Sequence, residues 1–519
     1  MDSNSLIDDL LSRGLSLEET HISWVFLGQD EAWKIKKPVS LGFLDFSTPE
    51  NRKAACEAEV ALNRRFSPRV YFGVTPVTRD AAGKHALDGD GVIVDWAVHM
   101  LRLPESDRLD RRLEAGRLFR ESLRHLARRL AEFHAGASDS DTARRFGSPE
   151  AVSANVLENL AQAGPDLHRL LGDGKARELE AWQKNFLRNH VVWFQDRVRA
   201  GRIRDGHGDL RLDQIYLDDS GNWSILDCIE FNDRFRYGDV CADIAFLAMD
   251  LSAHGRRDLA ENFLADYSKF SGDFDLYRMA DFYQSYRACV RGKVLCLQAA
   301  DPGRSDASRT EMGREALRRF FLAWTFTRSP ESNPRLIAVA GIPGSGKSTV
   351  AGRLGEEWAC PVIASDWTRK QMAGLNPLES KPEKAWEGLY APAQTDGVYA
   401  EMLRRAKIVL ESGRSAVVDA TFATLEHRMA FRDAARQSGI RFDFLECRAD
   451  AETCRKRLRA RKGEVQASDA REGLLEEFQR RWEPVDPLLE PGSASLNTAQ
   501  PLEKTWEQAE KILTEARSS

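Results

Sequence analysis

The sequence predicts two domains of different class, an α+β domain followed by an α/β domain with a parallel sheet. Residues 22–103 carry strand patterns, whereas the residues up to 326 are largely helical. After residue 335, apolar strands alternate with helices, which is typical of a parallel sheet covered on both faces. Between these regions, the proline- and serine-containing run 327–334 predicts a linker.

The composition limits the class of protein. The chain has 519 residues, 42% hydrophobic and 30% charged, which is typical of globular domains, and it lacks an apolar run long enough for a membrane helix. Its 75 basic and 80 acidic residues argue against a nucleic-acid or membrane partner, although a local basic patch stays open. The eight cysteines form no Cys-x-x-Cys pair and no signal peptide is evident, so we expect a cytoplasmic protein. The oligomeric state stays undetermined.

The predicted elements follow the two-domain plan, with a first domain at 1–326 (small lobe about 20–103, helical lobe about 104–326) and a second at 335–519. In the first domain they are a hairpin turning near Gly28, a helix at 50–66, a strand at 92–101, long helices at 108–135 and 175–199, strands and turns at 203–231, and further helix at 238–325. In the second domain the predicted strands are 336–340, 361–364, 415–419 and 441–446.

A phosphate-binding loop is the most specific motif of the chain. The run from Gly341 to Ser348 matches G-x-x-x-x-G-K-[ST], with an apolar strand before it and a helical stretch after it. Glycines let backbone N–H groups turn toward the phosphates, Lys347 reaches the β and γ phosphates, and the Ser348 hydroxyl binds Mg²⁺. We assign ATP binding to Gly341, Gly344, Ser345, Gly346, Lys347, Ser348 and Thr349.

Two carboxylates follow the next strands of this domain. Asp366 can accept the proton of an attacking hydroxyl, or it can cap the following helix. Asp419 ends an apolar strand in the manner of a Walker B aspartate, which helps to hold Mg²⁺. Arginines crowd residues 455–461, where they either neutralise phosphoryl charge or form a solvated surface.

Residues 335–515 therefore resemble the small P-loop kinases of the zeta-toxin, chloramphenicol-phosphotransferase and gluconate-kinase group, with AAA-type ATP-binding domains. The resemblance implies that Asp366 is the base or the substrate anchor. It also implies that Arg369 and Arg428 lie near the substrate, and that Arg457 and Arg461 belong to an arginine lid over the nucleotide.

The first domain has its own catalytic pattern in His207-Gly-Asp209 and the later Asp227. In kinase-type catalysis one Asp accepts the hydroxyl proton, an amide five residues later binds Mg²⁺, and a second Asp holds Mg²⁺ against the phosphates. Asp209, Gln214 and Asp227 occupy these three positions. A small-lobe lysine and a helix carboxylate complete such a site, for which we select Lys34 before Lys36 and Glu59 before Glu57.

The His-Gly-Asp pattern resembles the Brenner motif of aminoglycoside phosphotransferases and choline-kinase-like enzymes, over residues 20–325. The resemblance implies a protein-kinase-like fold in which Asp243 braces the catalytic loop. Gln214 departs from the Asn of the family, and its extra methylene displaces the amide by roughly one bond length. Because Mg²⁺ demands strict geometry, Gln214 coordinates from a shifted backbone, Asp213 substitutes for it, or the site is inactive.

The runs Lys34–Val39 and Gly42–Ser47 are similar to the small lobe of a bacterial family that joins an aminoglycoside-phosphotransferase-like half to a P-loop half. We expect an ATP- and Mg²⁺-dependent phosphotransferase, a bifunctional kinase acting on hydroxyl groups of a small molecule at one or both sites. The alternatives are a P-loop kinase with a non-catalytic N-terminal binding module, a polynucleotide or RNA end kinase, and an ATP-driven switch that transfers nothing.

Overall fold

The computed structural model describes residues 3–20, 22–41, 44–331, 333–379, 388–460, 473 and 475–515. The chain packs as two compact units. The first comprises Met1–Leu126, Phe133–His254 and Tyr286–Phe320, and the second Ala127–Glu132, Gly255–Ser285 and Phe321–Ser519. In the described ranges, every helix is too short or too polar to cross a membrane.

The second unit takes in a helical segment, Gly255–Ser285, that precedes the linker predicted at 327–334. One cause is a buried arginine of the C-terminal sheet region. Arg414 donates from Nε to Glu261 and from Nη2 to Asp281, both at 2.7 Å. A buried guanidinium needs such partners, so these pairs tie the segment to this unit.

The small lobe is a twisted antiparallel sheet between two helices. Its helices are Ser3–Leu11 (α1) and Pro49–Asn63 (α2), and its strands are Ser16–Glu19 (β1), Ser23–Leu27 (β2), Glu31–Lys36 (β3), Ser40–Leu41 (β4), Leu44–Asp45 (β5), Tyr71–Arg79 (β6), His85–Leu87 (β7) and Val92–Leu101 (β8). The order in the main sheet is β1-β2-β3-β8-β6-β7, and the hairpin expected near Gly28 joins β2 to β3. Thr48 caps α2 by accepting from the backbone N–H of Asn51.

Side chains alternate across this sheet, which gives it two apolar faces. On one face Leu6 and Leu10 of α1 pack with Trp24 of β2. On the other face Cys56 and Val60 of α2 pack against β3 and β8. Helix α2, which carries the expected carboxylate, is thereby held beneath the strand that carries the expected lysine.

The helical lobe follows, and two helices that we predicted as continuous are interrupted. Its helices are Leu109–Glu114 (α3), Arg120–Gly136 (α4), Asp141–Phe146 (α5), Pro149–Leu171 (α6), Asp173–Asn189 (α7), Val191–Arg199 (α8), Asp233–Arg236 (α9), Val240–Ala253 (α10), Arg257–Ser271 (α11), Ala280–Ala299 (α12) and Asp306–Thr325 (α13), and its strands are Ile203–Asp205 (β9), Ile215–Leu217 (β10), Trp223–Ile225 (β11) and Tyr237–Asp239 (β12). Gly116, with φ of 67°, separates α3 from α4 within the predicted helix 108–135. His190 separates α7 from α8 within the predicted helix 175–199.

The C-terminal region is the predicted α/β fold. Its strands are Arg335–Ala340 (β13), Val362–Ala364 (β14), Ala416–Asp419 (β15), Arg441–Arg448 (β16) and Ser493–Asn497 (β17), and its helices are Lys347–Glu357 (α14), Ser365–Met372 (α15), Pro392–Glu411 (α16), Leu425–Gln437 (α17), Ala451–Ala460 (α18), Leu475–Arg481 (α19) and Leu502–Glu515 (α20). The sheet is parallel, in the order β14-β15-β13-β16-β17. Strand β17 was not predicted, because the run Ser-Ala-Ser-Leu-Asn is largely polar. The buried core joins β13 to α14 and α20.

Candidate active sites

The small lobe presents a lysine to two carboxylates that are far apart in sequence. Lys34 on β3 donates from Nζ to Glu59 at 2.9 Å and to Asp227 at 2.7 Å. Burial alone would lower the pKa of Lys34, but Asp227 and Glu59 raise it well above its ordinary value. The structure therefore brings together the lysine, the helix carboxylate and the second aspartate expected from the sequence.

The structure also shows where the second choices for the lysine and the carboxylate, Lys36 and Glu57, lie. Lys36 is fully buried and donates to the other oxygen of Glu59 at 2.5 Å and to Glu230. Glu57 is exposed and lies near Lys53. Two lysines thus share Glu59, whereas Glu57 takes no part.

The catalytic loop is anchored at both ends by helix α10. Asp243 accepts from the backbone N–H groups of His207 and Gly208 at 2.7 and 2.8 Å. About two turns further along the same helix, Asp250 accepts a hydrogen bond from the backbone N–H of Leu212 at 3.1 Å. The brace implied for Asp243 is present, and sequence reasoning missed Asp250. Its heptad spacing from Asp243 places both on one helix face and could have revealed it.

Burial by itself would raise the pKa of the Asp243 carboxyl. A hydrogen bond from His134, the charges of His134 and His207, and the loop N–H outweigh this and bring it to about 2. His207 is buried too, and burial lowers the pKa of its imidazole. Its Nε2 donates to the Leu226 carbonyl at 2.9 Å, so the ring joins the loop to the strand before Asp227.

Asp209 lies in the lining of a cavity together with Lys34 and Asp227. Its Oδ1 accepts from Nε of Arg211 at 3.0 Å. Burial would raise the pKa of Asp209, but Arg211 and Arg291 lower it below its ordinary value. The carboxylate is therefore ionised and able to receive a proton, although the neighbouring guanidinium groups reduce its basicity.

Gln214 reaches Asp227 despite its extra methylene. In the amide orientation that satisfies both neighbours, Nε2 donates to Asp227 at 3.2 Å and Oε1 accepts from Arg211 at 2.8 Å. Asp213 lies against Arg211 at 2.5 Å instead. Asp227 has φ of 58°, a left-handed conformation that is costly for a residue other than glycine and is common at functional sites. The carboxylate of Asp227 fits a Mg²⁺ ion whose other ligands are phosphates and water, whereas Gln214 would have to turn its amide oxygen away from Arg211 to reach the same ion.

The second unit forms the phosphate-binding loop between β13 and α14. Gly341, Gly344 and Gly346 all have positive φ. A Cβ at Gly344 would lie 2.7 Å from the Cys454 carbonyl, so only glycine fits there. Helix α14 begins at Lys347, so the N–H groups of its first turn point at the loop. The backbone N–H of Thr349 donates to the Gly346 carbonyl at 3.1 Å.

Two residues outside the motif support this loop from behind, and sequence reasoning missed one of them. Thr498 donates from Oγ1 to the Ser345 carbonyl at 2.6 Å. Arg457 donates to the Gly344 carbonyl at 3.3 Å and to the Thr498 carbonyl at 2.5 Å. Arg457 therefore lies at the nucleotide loop, as the resemblance implied. Arg461, expected beside it, lies outside the described residues, as do Gly42 and Phe43 of the small-lobe run.

Asp419 ends β15 beside the loop. Burial raises its pKa above the ordinary value, while Lys347 and a hydrogen bond from Ser348 oppose the shift and Asp366 adds to it. Among the described residues its buried Oδ1 has no hydrogen-bond partner. A buried carboxylate oxygen beside a serine hydroxyl fits Mg²⁺, which typically takes one or two protein oxygens and completes its shell with phosphates and water. Ser348 and Asp419 would hold the ion here.

Asp366 faces the same site from α15. The cap of this helix is Ala364, with no side-chain hydrogen bond, so the capping alternative is wrong. Lys269 of α11 acts electrostatically on Asp419 and lies over the Trp367 ring at 5.0 Å. Sequence reasoning missed Lys269, because it precedes the predicted linker and no local pattern joins it to the loop.

Two arginines implied to lie near substrate have other partners. Arg428 is fully buried and pairs with Glu490 at 2.6 Å, and it also donates to the Phe422 carbonyl. This corrects its assignment, because all of these contacts are internal to the fold. Arg369 donates to the Leu389 carbonyl at 2.6 Å and packs on the Tyr390 ring.

Comparison with known proteins finds the same two-part architecture. A family model described as a phosphotransferase enzyme family matches residues 43–282, and one described as an AAA domain matches residues 336–485. The uncharacterised proteins Mb2027c of Mycobacterium bovis and Rv2004c of Mycobacterium tuberculosis are each 35% identical over 449 residues, 86% of this chain and 86% of theirs.

Solved structures also match about a third of the chain at low identity. A gluconokinase from Sinorhizobium meliloti is 21% identical and covers 36% of this chain and 94% of its own, with a TM-score of 0.27. The Mycobacterium tuberculosis APS kinase is 18% identical and covers 36% of this chain and 99% of its own, also with a TM-score of 0.27.

Proposed function

We propose that this chain is a bifunctional kinase. It belongs to the family of these mycobacterial proteins, and it joins two kinase-like ATP-dependent phosphotransferase domains. Each domain would transfer the γ-phosphoryl group of Mg-ATP to a hydroxyl group of a small molecule. We propose a division at 327–334, with the domains at 1–326 and 335–519 and the packing of α11 as the exception.

The observation that carries this proposal is that each unit assembles a full set of kinase groups from its own residues. In the first unit Lys34 bridges Glu59 and Asp227, with Asp209 lining the same cavity. Phosphoryl transfer depends on positioning and charge stabilisation, and these groups supply both. Asp227 also adopts a left-handed backbone conformation, a feature that clusters at functional sites.

In the second unit, Lys347 and Ser348 stand at the start of α14, and the charges of Lys347 and Asp366 act on Asp419. Asp366 would accept the hydroxyl proton of the acceptor, because it faces the loop and caps no helix. The charge of Lys269 beside Asp419 adds a positive group where phosphate negative charge accumulates.

A second candidate is a P-loop kinase with a non-catalytic N-terminal binding module. Two observations favour it: Gln214 replaces a shorter amide, and Arg211 pairs with Asp209. Against it, Lys34 still joins Glu59 to Asp227, and the Gln214 side chain is long enough to reach Asp227, although with its amide nitrogen. The two candidates differ in the number of productive Mg-ATP sites.

The test is the stoichiometry of Mg-AMPPNP binding to the full chain by titration calorimetry. We expect two sites in the wild type, loss of one in Lys347→Ala, and loss of the other in Asp227→Ala. The exposed Lys456 and Asp306 supply the matched controls Lys456→Ala and Asp306→Ala, which should retain both. One site in the wild type, removed by Lys347→Ala and untouched by Asp227→Ala, would establish the binding-module candidate instead.

A further inference from the structure

The first unit contains a cavity of about 410 Å³ that runs from the small-lobe lysine to helix α12. Lys34 and Asp227 lie at its nucleotide end, and Asp209 lines it. Beyond Asp209, helix α12 contributes Arg287 and Arg291. Because the acceptor hydroxyl must approach Asp209, the α12 side of the cavity is where the acceptor would lie.

Arg287 and Arg291 are four residues apart on α12 and therefore project from one helix face. Arg287 is only 9% exposed, and its Nε has no hydrogen-bond partner among the described residues. Its guanidinium packs on the rings of Phe246 and Tyr286, at 4.7 and 5.7 Å. These contacts orient the charge without neutralising it.

The other cations of the cavity already have partners. Lys34 and Lys36 pair with Glu59, and Arg234 pairs with Glu158. Lys293 donates to the Gln162 side chain at 2.9 Å. Within the described chain, the cavity-lining arginines of α12 form no ion pair with a carboxylate, so they differ from their neighbours.

The carboxylates of the cavity are equally accounted for. Glu158 is paired with Arg234, and Glu230 with Lys36. Asp209 and Asp227 belong to the proposed chemistry. Burial and the like charge of Arg211 lower the pKa of Arg291 to about 10, with partial compensation from the charges of Asp209, Asp213 and Asp250. A buried guanidinium that forms no direct ion pair is costly, and such a group is retained where a ligand supplies the anion at contact distance.

We propose that the N-terminal site phosphorylates an anionic alcohol, a small hydroxyl compound whose phosphate or carboxylate group is bound by Arg287 and Arg291. This inference rests on the proposed kinase function. The acceptor oxygen forms a bond to the γ-phosphorus as the bond from that phosphorus to the leaving oxygen of ADP breaks. The hydroxyl proton passes to Asp209, and the products are ADP and a phosphate ester.

The two arginines would fix the acceptor at its charged end and leave its hydroxyl at Asp209. Guanidinium groups suit this task, because their planar N–H groups match the oxygens of phosphate and carboxylate. A cationic acceptor would meet uncompensated positive charge at the same place and would be rejected. The phenylalanine and tyrosine rings beside Arg287 would exclude water from the charged contact.

The experiment measures anion binding to the full chain carrying Lys347→Ala, which removes phosphate binding at the P-loop. Inorganic phosphate and acetate are the probes, titrated by calorimetry with and without saturating Mg-AMPPNP. We expect one of the two anions to bind in the millimolar range. Its affinity should fall about tenfold or more in Arg291→Met and in Arg287→Met, with partial recovery in Arg291→Lys. Which anion binds distinguishes a phosphorylated from a carboxylated acceptor.

The proposal is overturned if neither anion binds, or if both methionine variants bind it as the parent does. It is also overturned if these variants weaken Mg-AMPPNP instead, since the arginines would then serve the nucleotide. Thermal unfolding separates a structural role: we expect the melting temperature to stay level or rise in both variants, because an unpaired buried charge is removed. If the parent binds no Mg-AMPPNP but still binds the anion through both arginines, the kinase function fails at this site while the anion subsite stands.

Discussion

The two candidate sites are built in opposite ways. In the C-terminal unit one continuous run, Gly341–Ser348, forms the phosphate loop, and its glycines and lysine are neighbours in sequence. In the N-terminal unit Lys34 meets a carboxylate 193 residues away, at Asp227. A local motif places its groups chiefly by backbone geometry, whereas a dispersed site depends on every element that packs between its members. Substitutions distant from the chemistry should therefore matter more in the N-terminal site.

The largest effect is expected for the proposed base of the dispersed site. Asp209→Asn removes the proton acceptor and should slow phosphoryl transfer at this site by about a thousandfold, with Mg-ATP binding retained. The measurement is turnover in the Lys347→Ala background, with anionic alcohols as acceptors. Asp213→Asn, four residues along and paired with the same Arg211, is the control and should lose far less. Equal losses in the two variants would remove Asp209 from the role of base.

The comparison is sharpened by a buried pair in the C-terminal unit. Arg428→Ala leaves Glu490 buried without its cation and should lower the free energy of unfolding by about 3 kcal/mol. Arg436→Ala, on the same helix and exposed beside Asp433, should change it by less than about 0.5 kcal/mol. Denaturant unfolding followed by circular dichroism measures both. A stable Arg428→Ala with weakened acceptor binding would restore its assignment to the substrate site.

The brace of the N-terminal catalytic loop should appear in the pH dependence of stability. Burial raises the pKa of Asp243 in the folded state, but hydrogen bonds and the charges of His134 and His207 outweigh this effect. The folded pKa is therefore about 2, below the ordinary value of 3.8. Its stabilising contribution, about 2 kcal/mol, is fully present above pH 3.8 and is lost as the pH falls to about 2. We expect Asp243→Asn to flatten this part of the acid-unfolding curve. An unchanged slope would mean that other groups set acid stability.

The smallest effect is expected where the chain departs from the Asn of related sites. Gln214→Asn shortens the amide by roughly one bond length and withdraws it from Asp227. We expect N-terminal Mg-ATP affinity to fall about tenfold, because the backbone is set for the longer side chain. Calorimetry in the Lys347→Ala background measures it, with Gln214→Glu testing the amide against a carboxylate at constant side-chain length. A gain in affinity with Asn would show that glutamine impairs this site.

The fold, and which side chains come together in the two candidate sites, were largely predictable, for reasons that differ between elements. The strands before and after the P-loop are apolar runs, and their alternation with helices confirms the predicted α/β class. Strand β17 escaped prediction because its sequence is mostly polar and only its pairing with β16 makes it a strand. Gly116 ended a helix that hydrophobic periodicity alone would have continued.

Site residues followed the same rule. Asp209 and Gln214 stand in one short motif, and Lys34 and Glu59 have patterns of their own that chemistry links. Asp250, Lys269 and Thr498 stand in no motif, because each acts on a loop that is distant in sequence. Arg428 shows the converse error: the resemblance to small P-loop kinases implied that it lies near the substrate, whereas its guanidinium is buried against Glu490 within the fold.

The sequence by itself determined the two fold classes, the phosphate loop and the residue types of both catalytic sets, because these depend on local periodicity and short spacing. Only the tertiary structure decided which lysine and glutamate meet, that Asp366 caps no helix, and that α11 packs with the C-terminal unit. It also decided which charged side chains form an ion pair, and among the described residues Arg287 and Arg291 form none with a carboxylate. Whether two charged side chains form an ion pair depends on their distance in the folded core, and this distance cannot be read from their separation in the sequence.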